Sequence, residues 1–327
     1  CLHSASLAYS QVEDHRLQFT QYSTLDGLMS NAIMQVYQDE TGFIWVATRG
    51  GLSRFDGYKF HYYPDRAEEN VFLKDALGFF EDSRGQLWVT SIFGYLYRYD
   101  RAKDEFIEIP RPSSTPDPNE VPPAGIEGSD GNLWFSGKGG IDKYESETGQ
   151  FTHYPLVIDE KKVRLGKMCK DRSGNLWIGG HGLFYFNPDE KKFHQPQLTD
   201  SLPIDFSRIW TVNVFTDSSG FVWGIIWDAG LVKIDPSTRS VAGFYSFRQL
   251  LPHEKEGGAW DAIVNSDGTA WLATNGSGLI KINLETFETL AQYKHREGDE
   301  SSLSFNQIRS FIIDKDGSFW LASSPLN

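Results

Sequence analysis

A motif of the form Gly-x-apolar-Trp recurs seven times and limits what this chain can fold into. The copies end at Trp45, Trp88, Trp134, Trp177, Trp223, Trp271 and Trp320. Successive tryptophans lie 43, 46, 43, 46, 48 and 49 residues apart. The first copy in full is Asp39-Glu-Thr-Gly42-Phe-Ile-Trp45-Val-Ala-Thr-Arg-Gly-Gly51-Leu-Ser-Arg-Phe-Asp56. A period in the 40s, with several short strands per period, signals a β-propeller. The expected fold is therefore all-β: a seven-bladed propeller of four-stranded antiparallel blades, its ring closed by an N-terminal strand.

Each copy reads as part of one blade. In the first, Ile33–Gln38 alternates as the innermost strand and Asp39–Gly42 is a tight turn. Phe43–Thr48, Leu52–Phe55 and Phe60–Tyr63 are the second, third and outer strands. Glycine suits the turn because it enters positive φ without a Cβ penalty. The seven tryptophans share one register of the second strand. The expectation is that they pack between blades and are not ligand platforms.

Length and composition agree with one large β domain. The chain has 327 residues, which seven blades consume, and 14% are aromatic, as face-to-face sheet packing requires. The net charge of −13 argues against nucleic acid and against an anionic membrane surface. Cys1 and Cys169 provide no disulfide framework. Cys169 falls on an inner strand and reads as a small buried hydrophobe. No run reaches the length of a membrane-spanning helix.

Residues 1–10 are small and apolar, and Ala8-Tyr-Ser10 has the character of a signal-peptidase site. They read as a signal-peptide remnant or disordered lead-in, with cleavage near Ser10–Gln11. A lipidated Cys1 and an ordered lead-in are the rivals. Residues 11–327 then form the propeller. Leu17–Tyr22 matches the outer strands but precedes the first inner strand, while the last repeat stops after its second strand. The expectation is that Leu17–Tyr22 joins the blade of Phe319–Ala322. The missing third strand reads as the mark of a fragment.

Long connectors run from outer strands to inner strands at Pro64–Lys74, Pro110–Pro123, Pro155–Arg164, Gln195–Asp205 and Leu250–Gly258. Variable loops on a rigid scaffold are where binding concentrates. The turns between second and third strands carry Arg49, Ile92-Phe93, Lys138, His181, Trp227-Asp228 and Asn275. Inner strands add Trp210, Trp260 and Arg309 near the same end. A tryptophan beside a carboxylate or amide suits a sugar, whose ring stacks while its hydroxyls bond. Arg49, Lys138, His181, Trp227, Asp228 and Asn275, backed by Trp260 and Arg309, are the candidate ligand residues. Their positive charges suit an acidic sugar.

Catalytic signatures are absent: there is no nucleophile elbow, no H-E-x-x-H and no P-loop. The histidines show no metal-ligand spacing. No cofactor and no metal is expected. The sialidase Asp-box, Ser-x-Asp-x-Gly-x-Thr-Trp, does not fit. Its Asp position is held here by Glu40, Ser83, Ser129, Arg172, Ser218, Ser266 and Lys315.

Another family fits better. Ser30-Asn31, Asp39-x-x-Gly42-x-Ile-Trp45-Val-Ala-Thr and Gly51-Leu-x-Arg-Phe-Asp56-Gly57 together resemble the two-component regulator propeller repeat. Gly182-Leu-Phe-Tyr-Phe-Asn187, Gly230-Leu-Val-Lys-Ile-Asp235 and Gly278-Leu-Ile-Lys-Ile-Asn283 repeat its second half. The lead-in Phe19–Leu28 also resembles the usual start of such proteins. The second and third copies depart from it, with Gly94-Tyr-Leu and Gly140-Ile-Asp. The resemblance implies a non-enzymatic periplasmic sensor of a hybrid two-component system anchored in the inner membrane. It implies an oligosaccharide released from a complex glycan as ligand, and control of polysaccharide-utilisation genes. A second propeller, a β-sandwich, a membrane helix and a histidine kinase would follow, in a homodimeric receptor. The alternative is a propeller enzyme, a lyase resembling the streptogramin lyases or a glycan-active hydrolase. His181 with Asp228 is the pair it would use.

Overall fold

The computed structural model describes residues 7–10, 17–65, 73, 76–91, 94–111, 124–197, 206, 209–250 and 258–324. The chain is all-β, and strands pair antiparallel within its sheets among the described residues. The first six repeats each supply four antiparallel strands of sheet. The first runs Ile33–Gln38, Ile44–Thr48, Gly51–Phe55, Phe60–Tyr63 in spatial order. The sheets of the fourth and fifth repeats join through Gly180↔Thr211 and His181↔Trp210. Among the described residues, no helix is long and apolar enough to cross a membrane.

The last sheet contains both ends of the described chain. Its order is Thr20–Tyr22, Leu7–Ser10, Phe319–Ser324, Gln307–Ile313. Leu17–Tyr22 does therefore contribute to the sheet of Phe319–Ala322, though only Thr20–Tyr22 is strand. The third strand, which the sequence reading left missing, is Leu7–Ser10. It pairs with Phe319–Ala322 on one side and with Thr20–Tyr22 on the other. Leu7–Ser10 lie within residues 1–10, read from the sequence as a signal-peptide remnant or lead-in, and their backbone is a ladder partner on both edges. Residues 1–6, the proposed cut after Ser10 and the connector 11–16 lie at or beyond the limits of the described residues.

The chain forms two compact units, residues 1–77 with 248–327 and residues 78–247. In the first unit, Trp271 packs edge-on against Phe319 at 4.9 Å, and Trp320 meets Phe55 at 5.5 Å. In the second, Trp88 meets Phe135 at 6.0 Å and Trp134 meets Phe186 at 5.4 Å. Each of these contacts joins one repeat to the next. Six of the seven repeat tryptophans are buried, and Trp271 is half-buried. The packing role expected from register is the one observed. Cys169 is buried on the inner strand Leu165–Lys170, and burial pushes its thiol well above the usual range.

The inner strands carry a feature that alternation does not reveal. Pairing skips a residue between Ala259 and Asp261, and again between Ile308 and Ser310. Comparable shifts occur at Ile33/Gln35 and Thr211/Asn213. These are β-bulges, which add a residue to one strand and re-aim its side chain. Trp260 and Arg309 are the extra residues in their strands.

Candidate functional site

Four of the proposed ligand residues belong to the first unit, and the structure brings them together. Arg49 is exposed in the turn after Ile44–Thr48. Trp260 and Arg309 stand at the bulges, and the Arg309 guanidinium lies 5.3 Å from the Trp260 ring centroid. The Trp260 indole Nε1–H donates to Asn275 Oδ1 at 3.0 Å. Gln307 Nε2 donates to the same oxygen at 2.7 Å, and Ser324 Oγ donates to Gln307 Oε1 at 2.9 Å. Burial first, and the charge of Arg49 second, hold Arg309 below the ordinary guanidinium value. The result is a cation over an aromatic face, braced by a half-buried amide network.

The other four belong to the second unit. Lys138 bridges Arg164 through the backbone. The His181 N–H donates to Arg164 O at 2.8 Å, and His181 pairs in register with Trp210. Trp227 N–H donates to Trp210 O at 2.9 Å, and the two indoles lie 5.5 Å apart at 46°. The strand ends of three repeats thus carry Lys138, His181 and Trp227 along one hydrogen-bonded track. Burial, and then the charge of Arg164, push the His181 imidazole below 6.5. Asp228 is exposed in a tight turn at φ 56°.

This arrangement offers aromatic faces, amides and cations, the equipment for holding a polar ligand with an apolar face. Neither a hydrogen bond nor an ion pair joins His181 to Asp228 among the described residues. Nor do those residues contain a group of three or more His, Cys, Asp and Glu able to hold a metal.

The sequence reading left Arg164 and Gln307 out of the site. Arg164 enters through a backbone bridge to Lys138, which only register reveals. Gln307 enters through its pairing opposite Ser324 and its bond to Asn275, which only register reveals. Ile92 and Phe93 lie outside the described residues, as does most of each of the connectors Pro64–Lys74, Pro110–Pro123, Gln195–Asp205 and Leu250–Gly258.

Residues 27–50 match the sequence model of the two component regulator propeller. Over 63 residues the chain is 30% identical to histidine kinase P4 of Formosa agariphila, covering 19% of this chain and 5% of that protein. In structure it is similar to the extracellular domain of a hybrid two component system from B. thetaiotaomicron. That match has a TM-score of 0.69 at 18% identity, and covers 94% of this chain and 42% of that one. It is also similar to virginiamycin B lyase of Staphylococcus aureus, with a TM-score of 0.63 at 12% identity over 89% of this chain and 94% of the lyase. At such identities the likeness is one of fold, and that fold serves both a sensor and a lyase. The chain spans less than half of the two-component proteins it matches. Its residues 27–50 match the two component regulator propeller repeat, and its all-β fold is like that of their extracellular domains.

Proposed function

We propose that this chain is the ligand-recognition part of an extracytoplasmic sensor in a hybrid two-component system. Its ligand is an oligosaccharide released from a complex glycan, and its output is control of genes for using that glycan. Kinase chemistry belongs to domains elsewhere in the intact receptor, so the chain itself is not an enzyme. Within that receptor it works beside a second propeller and a β-sandwich, in a homodimer at the periplasmic side of the inner membrane.

The observation that carries this reading is the match at residues 27–50, reinforced by the histidine kinase relative. The local chemistry supports the ligand class. Trp210 and Trp227 form an aromatic pair with Trp210 38% exposed, and Asp228 stands beside it in solvent. Sugars are held by such combinations of ring face and carboxylate.

The test is a double substitution, Trp227→Ala with Asp228→Ala, in the intact receptor. Oligosaccharide binding and reporter transcription should both be lost while circular dichroism shows a folded protein. Unaltered affinity would move the site off these residues.

A further inference from the structure

Three groups in the first unit can only donate hydrogen bonds, and none of them has an acceptor among the described residues. The guanidiniums of Arg49 and Arg309 form no ion pair with any carboxylate among the described residues. This is unusual in a chain of 44 acidic and 31 basic residues. Two like charges close enough to interact, one of them half-buried, oppose folding unless something offsets them.

The third donor follows from the amide network. An indole Nε1–H can only donate, so the atom of Asn275 that faces Trp260 must be Oδ1. Gln307 reinforces the assignment, since Ser324 donates to its Oε1 and leaves Nε2 to face Asn275. Both bonds to Asn275 end on oxygen. Its Nδ2 therefore keeps two N–H groups with no acceptor among the described residues.

We propose that Arg309, Arg49 and Asn275 Nδ2 form a binding site for an oxyanion, a carboxylate or sulfate, with Trp260 beneath as a platform for the group that carries it. A guanidinium matches such an anion in geometry as well as charge. The cation–π contact with Trp260 holds the Arg309 guanidinium near the site before the anion arrives, which lowers the ordering entropy lost on binding. The bulges place both side chains on inner strands, where a rigid sheet holds the site. The inference deepens the sugar-sensing reading, on which it rests for the identity of the carrier, by assigning the acidic group to one cluster.

The experiment titrates the 327-residue chain with sodium glucuronate, glucose, inorganic sulfate and a neutral oligosaccharide, reading heat and melting temperature. Glucuronate should bind about tenfold or more tightly than glucose, as a charge-assisted hydrogen bond implies. Its affinity should fall as sodium chloride is raised. Arg309→Gln should weaken glucuronate binding about tenfold or more, and Arg49→Gln several-fold, with glucose unaffected. Should Arg309→Gln fold poorly, the exposed Arg49→Gln still decides. Equal affinities for glucuronate and glucose, or unchanged glucuronate binding in both variants, would overturn the site. Binding of sulfate but not glucuronate keeps the anion site and removes the sugar as carrier. Binding of the neutral oligosaccharide with neither anion keeps the sensor reading and overturns the anion site.

Discussion

Asp171 Oδ2 accepts the indole Nε1–H of Trp177 at 2.8 Å, with both side chains buried. The same bond joins Asp39 to Trp45, Asp82 to Trp88, Asp217 to Trp223 and Asp314 to Trp320, at 2.8–3.1 Å. In each pair the aspartate stands six residues before the tryptophan. Asp171 Oδ1 also accepts the backbone N–H groups of Ser173 and Asn175, so one carboxylate ties the turn to the interior. In the third and sixth repeats that place is held by Gly128 and Asn265. Asp130 and Asp267 come later in the turn and form no bond to the indole nitrogen among the described residues.

The latch should be measurable at Trp177. Trp177→Ala removes a fully buried ring and should destabilise by about 3–5 kcal/mol. Asp171→Ala leaves the indole donor unpaired in the core and should destabilise by about 1–3 kcal/mol. Denaturant unfolding checks both, and the two losses should be less than additive. A Trp177→Ala variant as stable as the parent would end the packing assignment.

Two glycines in the sixth repeat should respond differently to alanine. A Cβ on Gly278 would lie 1.9 Å from the Tyr293 carbonyl oxygen, so the strand pair itself would have to part. A Cβ on Gly268 meets nothing within 4 Å, and only its φ of +80° is unfavourable. Gly268→Ala should therefore lose only about 1–2 kcal/mol. Gly278→Ala should lower the melting temperature much further. Equal effects would contradict the close approach.

A buried ion pair marks the second unit. Arg111 Nη2 lies 2.8 Å from Asp142 Oδ2, and His153 Nδ1 meets the other carboxylate oxygen at 2.7 Å. Asp142→Ala strands a buried guanidinium and should cost about 3–5 kcal/mol. Replacing Arg111 with Met and Asp142 with Leu together should cost less than Asp142→Ala alone. Thermal unfolding of the single and double variants decides the point.

His181 should titrate below 6.5, because burial and Arg164 both disfavour its charged form. The unfolded chain then binds more protons between the folded midpoint and about 6.5. Stability from this group is complete above that window and is lost as pH falls through it. Replacing His181 with Gln should reduce the loss of stability on acidification. Arg164→Gln should raise the imidazole midpoint seen by NMR. A midpoint at or above 6.5 in the parent would contradict the assigned environment.

Much of the fold is legible in the repeats because the blade imposes a period in the 40s, and the second strands, buried on both faces, return as short runs between turn glycines. Trp45 and its six counterparts announce their packing by register alone. The third strand of the last sheet was not legible, because Leu7–Ser10 pairs with residues more than 300 positions away. Its small apolar composition equally suits a leader. The Asp–Trp latch was partly hidden because Asp130 and Asp267 look like turn aspartates although their equivalents are Gly128 and Asn265. The site residues were found by position within the repeat. Their grouping was not, since the bulges at Trp260 and Arg309 depend on partners in neighbouring strands.

The proposed recognition of a soluble glycan fragment by the strand-end residues is open to calorimetric titration of the chain with a panel of glycan-derived oligosaccharides. The expected result is saturable heat from at least one oligosaccharide, absent when Trp227 and Asp228 are both alanine. No saturable heat from any member, or the same heat from the double variant, would contradict it.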